Sequence, residues 1–292
     1  MDAAQLVKWA VTASLLLIVI GLGLRATFAD ALSLFRGLFR RPHRLLRSIA
    51  AIYGVVPLAA VVVVLVFDVP PPVKVALLAM AISPLPPLLP GKQMKFGGRA
   101  SHAYGLLVAI ALVAIVVAPL AVDVLGWLFR RDLQVGTDAI ARTVAMSVLA
   151  PLAVGLTVRW RFPGAAERMA PWVTRSGTAL LVVAGVLILI NAWPAIVSLL
   201  GSGAVVAFAV VSVVAVAAGH LLGGPDPAGR TVLAIASPMR HPGVALVIAR
   251  ATFPDDSLAP AAILLFLLVG VVVTSVYGKL RLRASRPAPE RG

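Results

Sequence analysis

One arginine in the middle of an apolar segment constrains this chain more than any other feature. Arg240 stands in Ala234-Ile235-Ala236-Ser237-Pro238-Met239-Arg240-His241-Pro242-Gly243, a polar interruption of a segment that is otherwise apolar from about Thr231 to Ala251. A charge near the centre of such a span is costly unless it faces a cavity or a partner, so it marks a functional site. A second interruption, Ala81-Ile82-Ser83-Pro84-Leu85-Pro86-Pro87, continues to Pro90-Gly91-Lys92. Closely spaced prolines remove backbone donors and prevent a continuous helix. Unwound backbone at membrane depth persists only where protein or water satisfies it. A proline kink would account for either break alone. The shared Ser-Pro and the placement of one break in each half point instead to the binding site of a secondary transporter.

Composition supports a membrane setting. A mean hydropathy of +1.02, with 61% hydrophobic and 13% charged residues, excludes an ordinary soluble domain and implies an all-α polytopic membrane protein. The net charge of +15 would point to nucleic acid in a soluble protein. Here the basic residues cluster in short connections between apolar spans, where they set orientation, and no nucleic-acid partner is expected. There are no cysteines, so thiol chemistry is absent, and His43, His102, His220 and His241 have no metal-ligand spacing to one another. Neither a metal nor another cofactor is expected. No paired carboxylates or serine-histidine arrangement lies at depth, so an enzyme is not expected either.

Nine spans can be drawn, each long enough for a hydrocarbon core about 30 Å thick. They run from about Ala4 to Phe28, Leu46 to Phe67, Val73 to Gly98 (broken), His102 to Phe129, Asp138 to Trp160, Pro171 to Trp193, Gly203 to Leu222, Arg230 to Ala251 (broken) and Leu258 to Leu282. Thr27-Phe28-Ala29 has the look of a signal cleavage site, but the positive charge follows the first span instead of preceding it. That charge comprises Arg25, Arg36, Arg40, Arg41, Arg44 and Arg47; placed on the cytoplasmic side, it puts the amino terminus outside and the carboxyl terminus inside. Most of the 26 lysines and arginines then fall inside, leaving only Lys8, Lys74, Arg130, Arg131, Arg142 and Arg250 outside and Arg240 within the membrane.

An odd span count with two similar breaks is explained by an inverted repeat of four and five helices, the first unit lacking its opening helix. The two broken spans then cross the membrane in opposite directions. Prolines at Val56-Pro57, Ala118-Pro119 and Ala150-Pro151 read as tolerated kinks without chemistry. Asp138 and Arg142 are spaced for a structural i,i+4 pair. Asn191, His220, Trp160 and Trp193 read as interfacial anchors or helix caps, and the residues from Ala284 onward as a short disordered tail within a single-domain chain.

These pieces resemble the bile acid/sodium symporter family. The resemblance rests on Phe39-Arg40-Arg41-Pro42 leading to Val56-Pro57-Leu58, on the first break leading to Gly91-Lys92-Gln93-Met94, and on the second break followed by Phe253-Pro254-Asp255. It implies a fold of crossing broken helices in inverted repeats. A panel of spans at about 4–28, 138–160 and 171–193 would move against a core of spans at about 46–129 and 203–282. It also implies two sodium sites, but the matching positions here are Ala236, Arg240, His241, Lys92, Ile52, Gly105 and Ala109, which are apolar or cationic. Sodium needs several oxygen ligands, so sodium coupling is not expected. Lys92 and Arg240 are instead expected to supply permanently the charge that bound ions would supply transiently. Lys92 is alternatively placed to snorkel to the interface.

All eleven acidic residues fall in loops or near span ends, so Arg240 has no acidic partner at mid-membrane. Its charge is left to backbone carbonyls, water or a substrate anion, and half-helix amino termini add positive potential. The expected cargo is therefore a small organic anion, bound by Arg240, His241, Lys92, Ser83, Ser237, Pro238 and Gly243. His241 is either a proton carrier or a hydrogen-bonding group packed on the broken backbone. The expected function is a secondary transporter or facilitator in the cytoplasmic membrane, with lipid as its other partner. The alternative is a degenerate, non-transporting sensor or partner-binding subunit. Nothing in the sequence fixes the oligomeric state.

Overall fold

The computed structural model describes residues 3–32, 43–129, 137–252 and 258–284. The basic stretch Phe39-Arg40-Arg41-Pro42 and the Phe253-Pro254-Asp255 motif lie outside them. The described chain is helical: α1 (Ala3–Arg25), the short α2 (Phe28–Ala31), α3 (His43–Val66), α4 (Pro71–Ile82), α5 (Leu89–Lys95), α6 (Ala100–Phe129), α7 (Thr137–Val144, continued by Ala145–Leu149 and Ala150–Arg161), α8 (Pro163–Leu200), α9 (Ala204–Leu222), α10 (Pro227–Ala236), α11 (Pro242–Thr252) and α12 (Leu258–Ala284). Among the described residues, seven helices are long and apolar enough to cross a membrane. The chain is an integral membrane protein.

Prolines write the punctuation. α4 stops at Ile82 because the residue before a proline is driven from the α region; Ser83 accordingly has φ −70° and ψ 151°. Pro84, Pro86 and Pro87 keep residues 83–88 out of a helix until Leu89. The second break opens differently. Ser237 remains α-like at φ −56° and ψ −41°, and the chain leaves the helix only beyond it, to restart with Pro242 in the first turn of α11. Proline fits that position because the first turn has no donor to lose.

One helix is longer than its sequence indicated. The span drawn from Pro171 to Trp193 is the middle of α8, a continuous helix of 38 residues that contains both Pro171 and Pro194. At 1.5 Å per residue this is about 57 Å, well beyond a hydrocarbon core of about 30 Å. Both prolines lie nearer its ends than its middle.

Packing follows residue size. α1 lies along α7 and α8, and glycines set the distance. A Cβ on Gly23 would stand 2.7 Å from the Leu152 carbonyl oxygen and 2.8 Å from the Cα of Gly155. Close backbone approach of this kind is the usual way in which membrane helices gain contact, since lipid is as apolar as their side chains. The main apolar core lies elsewhere, among α3, α4, α6, α9, α10, α11 and α12, and includes Met80, Ile82 and an edge-to-face pair of Phe208 and Phe266 with ring centres 5.4 Å apart.

Candidate functional site

The two breaks meet. The backbone N–H of His241 donates to the carbonyl of Pro84 at 2.8 Å, joining the second interruption to the first. Around this point α4 packs on α11, and α5 packs on α10. The second contact carries a buried polar bond, from Gln93 Nε2 to the Val232 carbonyl at 2.8 Å. Each half of one broken segment is therefore braced by the opposite half of the other.

Arg240 reaches across this junction into α3, and the reason lies in Pro57. Residues Ala50–Val55 form a π-helical turn, in which the N–H of Val56 bonds the carbonyl of Ala51. The carbonyl of Ile52 would take its hydrogen bond from Val56 in an α-helix or from residue 57 in a π-helix. Val56 is engaged one residue back, and Pro57 has no N–H. Ile52 is left with an acceptor that its own helix cannot satisfy, and Arg240 Nη2 donates to it at 2.9 Å. Nη1 donates to the carbonyl of Ser83, at the first break, at 3.3 Å. Arg240 is 0% exposed, and its Nε–H has no partner among the described residues. A guanidinium suits this position because its planar fork spans two acceptors at once. The same device recurs in α7, where the π-helical turn Ala145–Leu149 precedes Pro151 and the N–H of Ala150 bonds the carbonyl of Ala145.

His241 works at the start of α11. Its Nδ1 accepts the backbone N–H of Gly243 at 3.1 Å, so the ring serves as an amino-terminal cap. A Cβ on Gly243 would press on that ring, at 3.0 Å from Cε1, which explains the glycine. With Nδ1 accepting, the proton sits on Nε2, which faces Ser147 Oγ of α7 at 3.2 Å. Replacing His241 by alanine should lower stability by about 1 kcal/mol, the usual cost of a lost cap. Asparagine, which retains a capping oxygen, should recover most of that loss in thermal unfolding of the detergent-solubilised protein.

Lys92 is directed inward. Its Nζ donates to Thr274 Oγ1 at 2.6 Å and to the Val271 carbonyl at 3.1 Å, both on α12. The remaining expected site residues gather at the same junction in supporting roles. The hydroxyl of Ser83 donates to the Ala79 carbonyl at 2.7 Å, and that of Ser237 to the Leu233 carbonyl at 2.9 Å, each finishing the last turn of its half-helix. Pro238 lies against α12, where a Cβ on Gly270 would be 3.7 Å from its carbonyl oxygen.

Beside this junction lies a cavity of about 650 Å³. Its walls are mostly apolar, with Val11 and Leu15 of α1, Leu181 and Gly185 of α8, and Leu264 and Leu267 of α12. Lys92, Lys95, Arg240 and His241 border it, and among the described residues no aspartate or glutamate does. Size, apolar lining and a few convergent polar groups are the usual marks of a small-molecule site. The sequence does not single out Thr274 or Ser147, and it gives Pro57 a place in the family resemblance but no chemistry. A proline five residues after Ile52 was the available signal for the free carbonyl.

Ala236, Ile52, Gly105 and Ala109 offer no side-chain oxygen, and Arg240 already occupies the main-chain oxygens of Ile52 and Ser83. A protein-family model described as the sodium bile acid symporter family matches residues 12–199. The matched stretch includes Pro57, the first break and Lys92, and ends before the second break. No curated protein matches the chain.

Proposed function

The chain belongs to the sodium bile acid symporter family, a family of transporters, and from that membership we propose a secondary transporter or facilitator of a small organic anion that runs without sodium. The observation that carries this reading is the Arg240 guanidinium, held by two main-chain carbonyls at the meeting point of the breaks. It supplies a fixed positive charge without needing an ion from solution. Lys92, tied to α12 and bordering the cavity, supplies a second. The cargo is amphipathic: its anionic group lies near these cations and its apolar part along the wall formed by α1, α8 and α12.

The architecture we propose has nine crossings, seven as continuous helices and two as the pairs α4–α5 and α10–α11. Exchanging the two pairs converts the α4–α11 contact into the α10–α5 contact, and both occur. This reciprocity supports inverted repeats of four and five helices. In the transport cycle α1, α7 and α8 form the panel, and the remaining helices form the core. The cavity between α1/α8 and the breaks is the space that such a movement would open and close. The bias of basic residues supports a cytoplasmic-membrane protein with its amino terminus outside.

Counterflow of labelled cholate, a probe with one carboxylate on an apolar body, tests the reading in proteoliposomes of purified protein. Saturable exchange above that of protein-free liposomes is expected. No exchange of cholate or of simpler carboxylates by folded protein would favour a non-transporting sensor.

A further inference from the structure

A second concave site lies away from the breaks, where the starts of α3 and α6 meet the turn between α9 and α10. It encloses about 140 Å³, and its lining includes His43, Arg44 and Arg47 of α3, His102 of α6, and Gly224 and Asp226 of the turn. Gly224 adopts φ 85°, which glycine reaches without strain, and its carbonyl is fixed by Arg230 Nε at 2.6 Å. A Cβ at Gly224 would stand 3.8 Å from Arg47 Nη1, so that guanidinium faces the turn.

The charges here do not cancel. Among the described residues Asp226 is the sole acid of the lining, and it is already engaged by Arg99 at 3.5 Å and by the N–H of Ala228 at 3.3 Å as the cap of α10. Arg44 and Arg47 form no ion pair among the described residues. Two guanidinium groups thus border one concave space whose acid, Asp226, is already paired with Arg99. Orientation by basic loops requires only that such residues lie on one side of the membrane. It does not require them to converge on a cavity floored by a glycine turn.

We infer that this pocket binds a phosphate-class oxyanion, which bridges Arg44 and Arg47 to the α9–α10 turn. The planar forks of arginine match phosphate oxygens in pairs, and basic pockets between membrane helices take anionic headgroups by the same chemistry. A bound oxyanion ties together the ends of three core helices, including α10, which leads directly to Arg240. Inorganic phosphate and the phosphomonoester of phosphatidic acid present the same group.

The test is thermal unfolding of the full-length protein in maltoside detergent, titrated with phosphate against chloride at matched ionic strength. A saturable rise in midpoint specific to phosphate is expected. Each of Arg44→Gln and Arg47→Gln should weaken half-saturation by about tenfold, the size of one charge-assisted hydrogen bond. Arg161→Gln, outside the pocket, should leave it unchanged. Both pocket arginines are exposed, so these variants are expected to fold, and the midpoint without phosphate checks this directly. Nanodiscs of phosphatidylcholine with and without phosphatidic acid separate the sources. If the lipid is the ligand, its presence raises the midpoint and removes the phosphate response; if free phosphate is the ligand, the response persists. Equal responses to phosphate and chloride, or an undiminished phosphate response in the Arg44→Gln/Arg47→Gln variant, would overturn the assignment.

Discussion

Substitution of Arg240 by alanine is expected to abolish organic-anion exchange and to destabilise the protein in the same step. Two effects combine. The carbonyls of Ile52 and Ser83 lose their donors in a buried setting, at a cost of about 1–3 kcal/mol for each unsatisfied group. The junction of the breaks also loses its fixed charge. Lysine should not substitute well, because an ammonium is a point charge and cannot span both carbonyls in one plane. Added guanidinium chloride at low millimolar concentration should restore part of the exchange to Arg240→Ala, since the ion matches what was removed. Sodium should not, because no side-chain oxygens stand at the matching positions to complete its shell. Counterflow with and without guanidinium checks this; undiminished exchange by Arg240→Ala would remove the arginine from the mechanism.

The second large effect is expected at Lys92. Replacement by methionine keeps the length and apolar stem but removes the charge that borders the cavity and the hydrogen bonds to Thr274 and Val271. The KM for an organic anion should rise by about ten- to a hundredfold, the range of one charge-assisted contact. Arginine should recover part of the loss. Thr274→Val separates positioning from charge: it removes the hydroxyl partner but leaves the ammonium, and its KM should rise less than that of Lys92→Met. Concentration-dependent initial rates of uptake in proteoliposomes measure both, and equal KM values for Lys92→Met and the unaltered protein would exclude Lys92 from the anion site.

The legible parts of this molecule are those written in side-chain chemistry. Pro84, Pro86, Pro87, Pro238 and Pro242 announce the two interruptions, because a missing N–H and a fixed φ act locally, whatever surrounds them. The isolation of Arg240 from acids was equally plain, since every acidic residue lies near a span end. What receives Arg240 was harder to see. The acceptor in α3 is a main-chain carbonyl of Ile52, a residue whose side chain carries no polar atom, and it is free only because a π-helical turn and Pro57 fall together. The contact between His241 and Ser147 joins residues 94 positions apart, and helical packing alone brings them together. α8 misled for a different reason. Pro171 has the form of a helix start, yet Pro163 serves that purpose eight residues earlier.

The division of labour we propose for the two cations follows from where each is held. Arg240 has no exposed surface and spends both Nη groups on the protein, which suits the organising role proposed for it. Lys92 is only half-buried and reaches the cavity from a flexible stem, which suits a group that must release its cargo. On this basis Arg240 variants should lose stability and transport together, and Lys92 variants mainly apparent affinity.

Initial uptake of an organic anion into proteoliposomes, measured with external sodium and with sodium replaced by potassium at constant ionic strength, is the most direct measurement. Equal rates in the two media are expected for a carrier whose positive charge is part of its own chain. A rate that falls when sodium is withdrawn would contradict the role given to Arg240 and Lys92 and would place a dissolved ion back in the cycle.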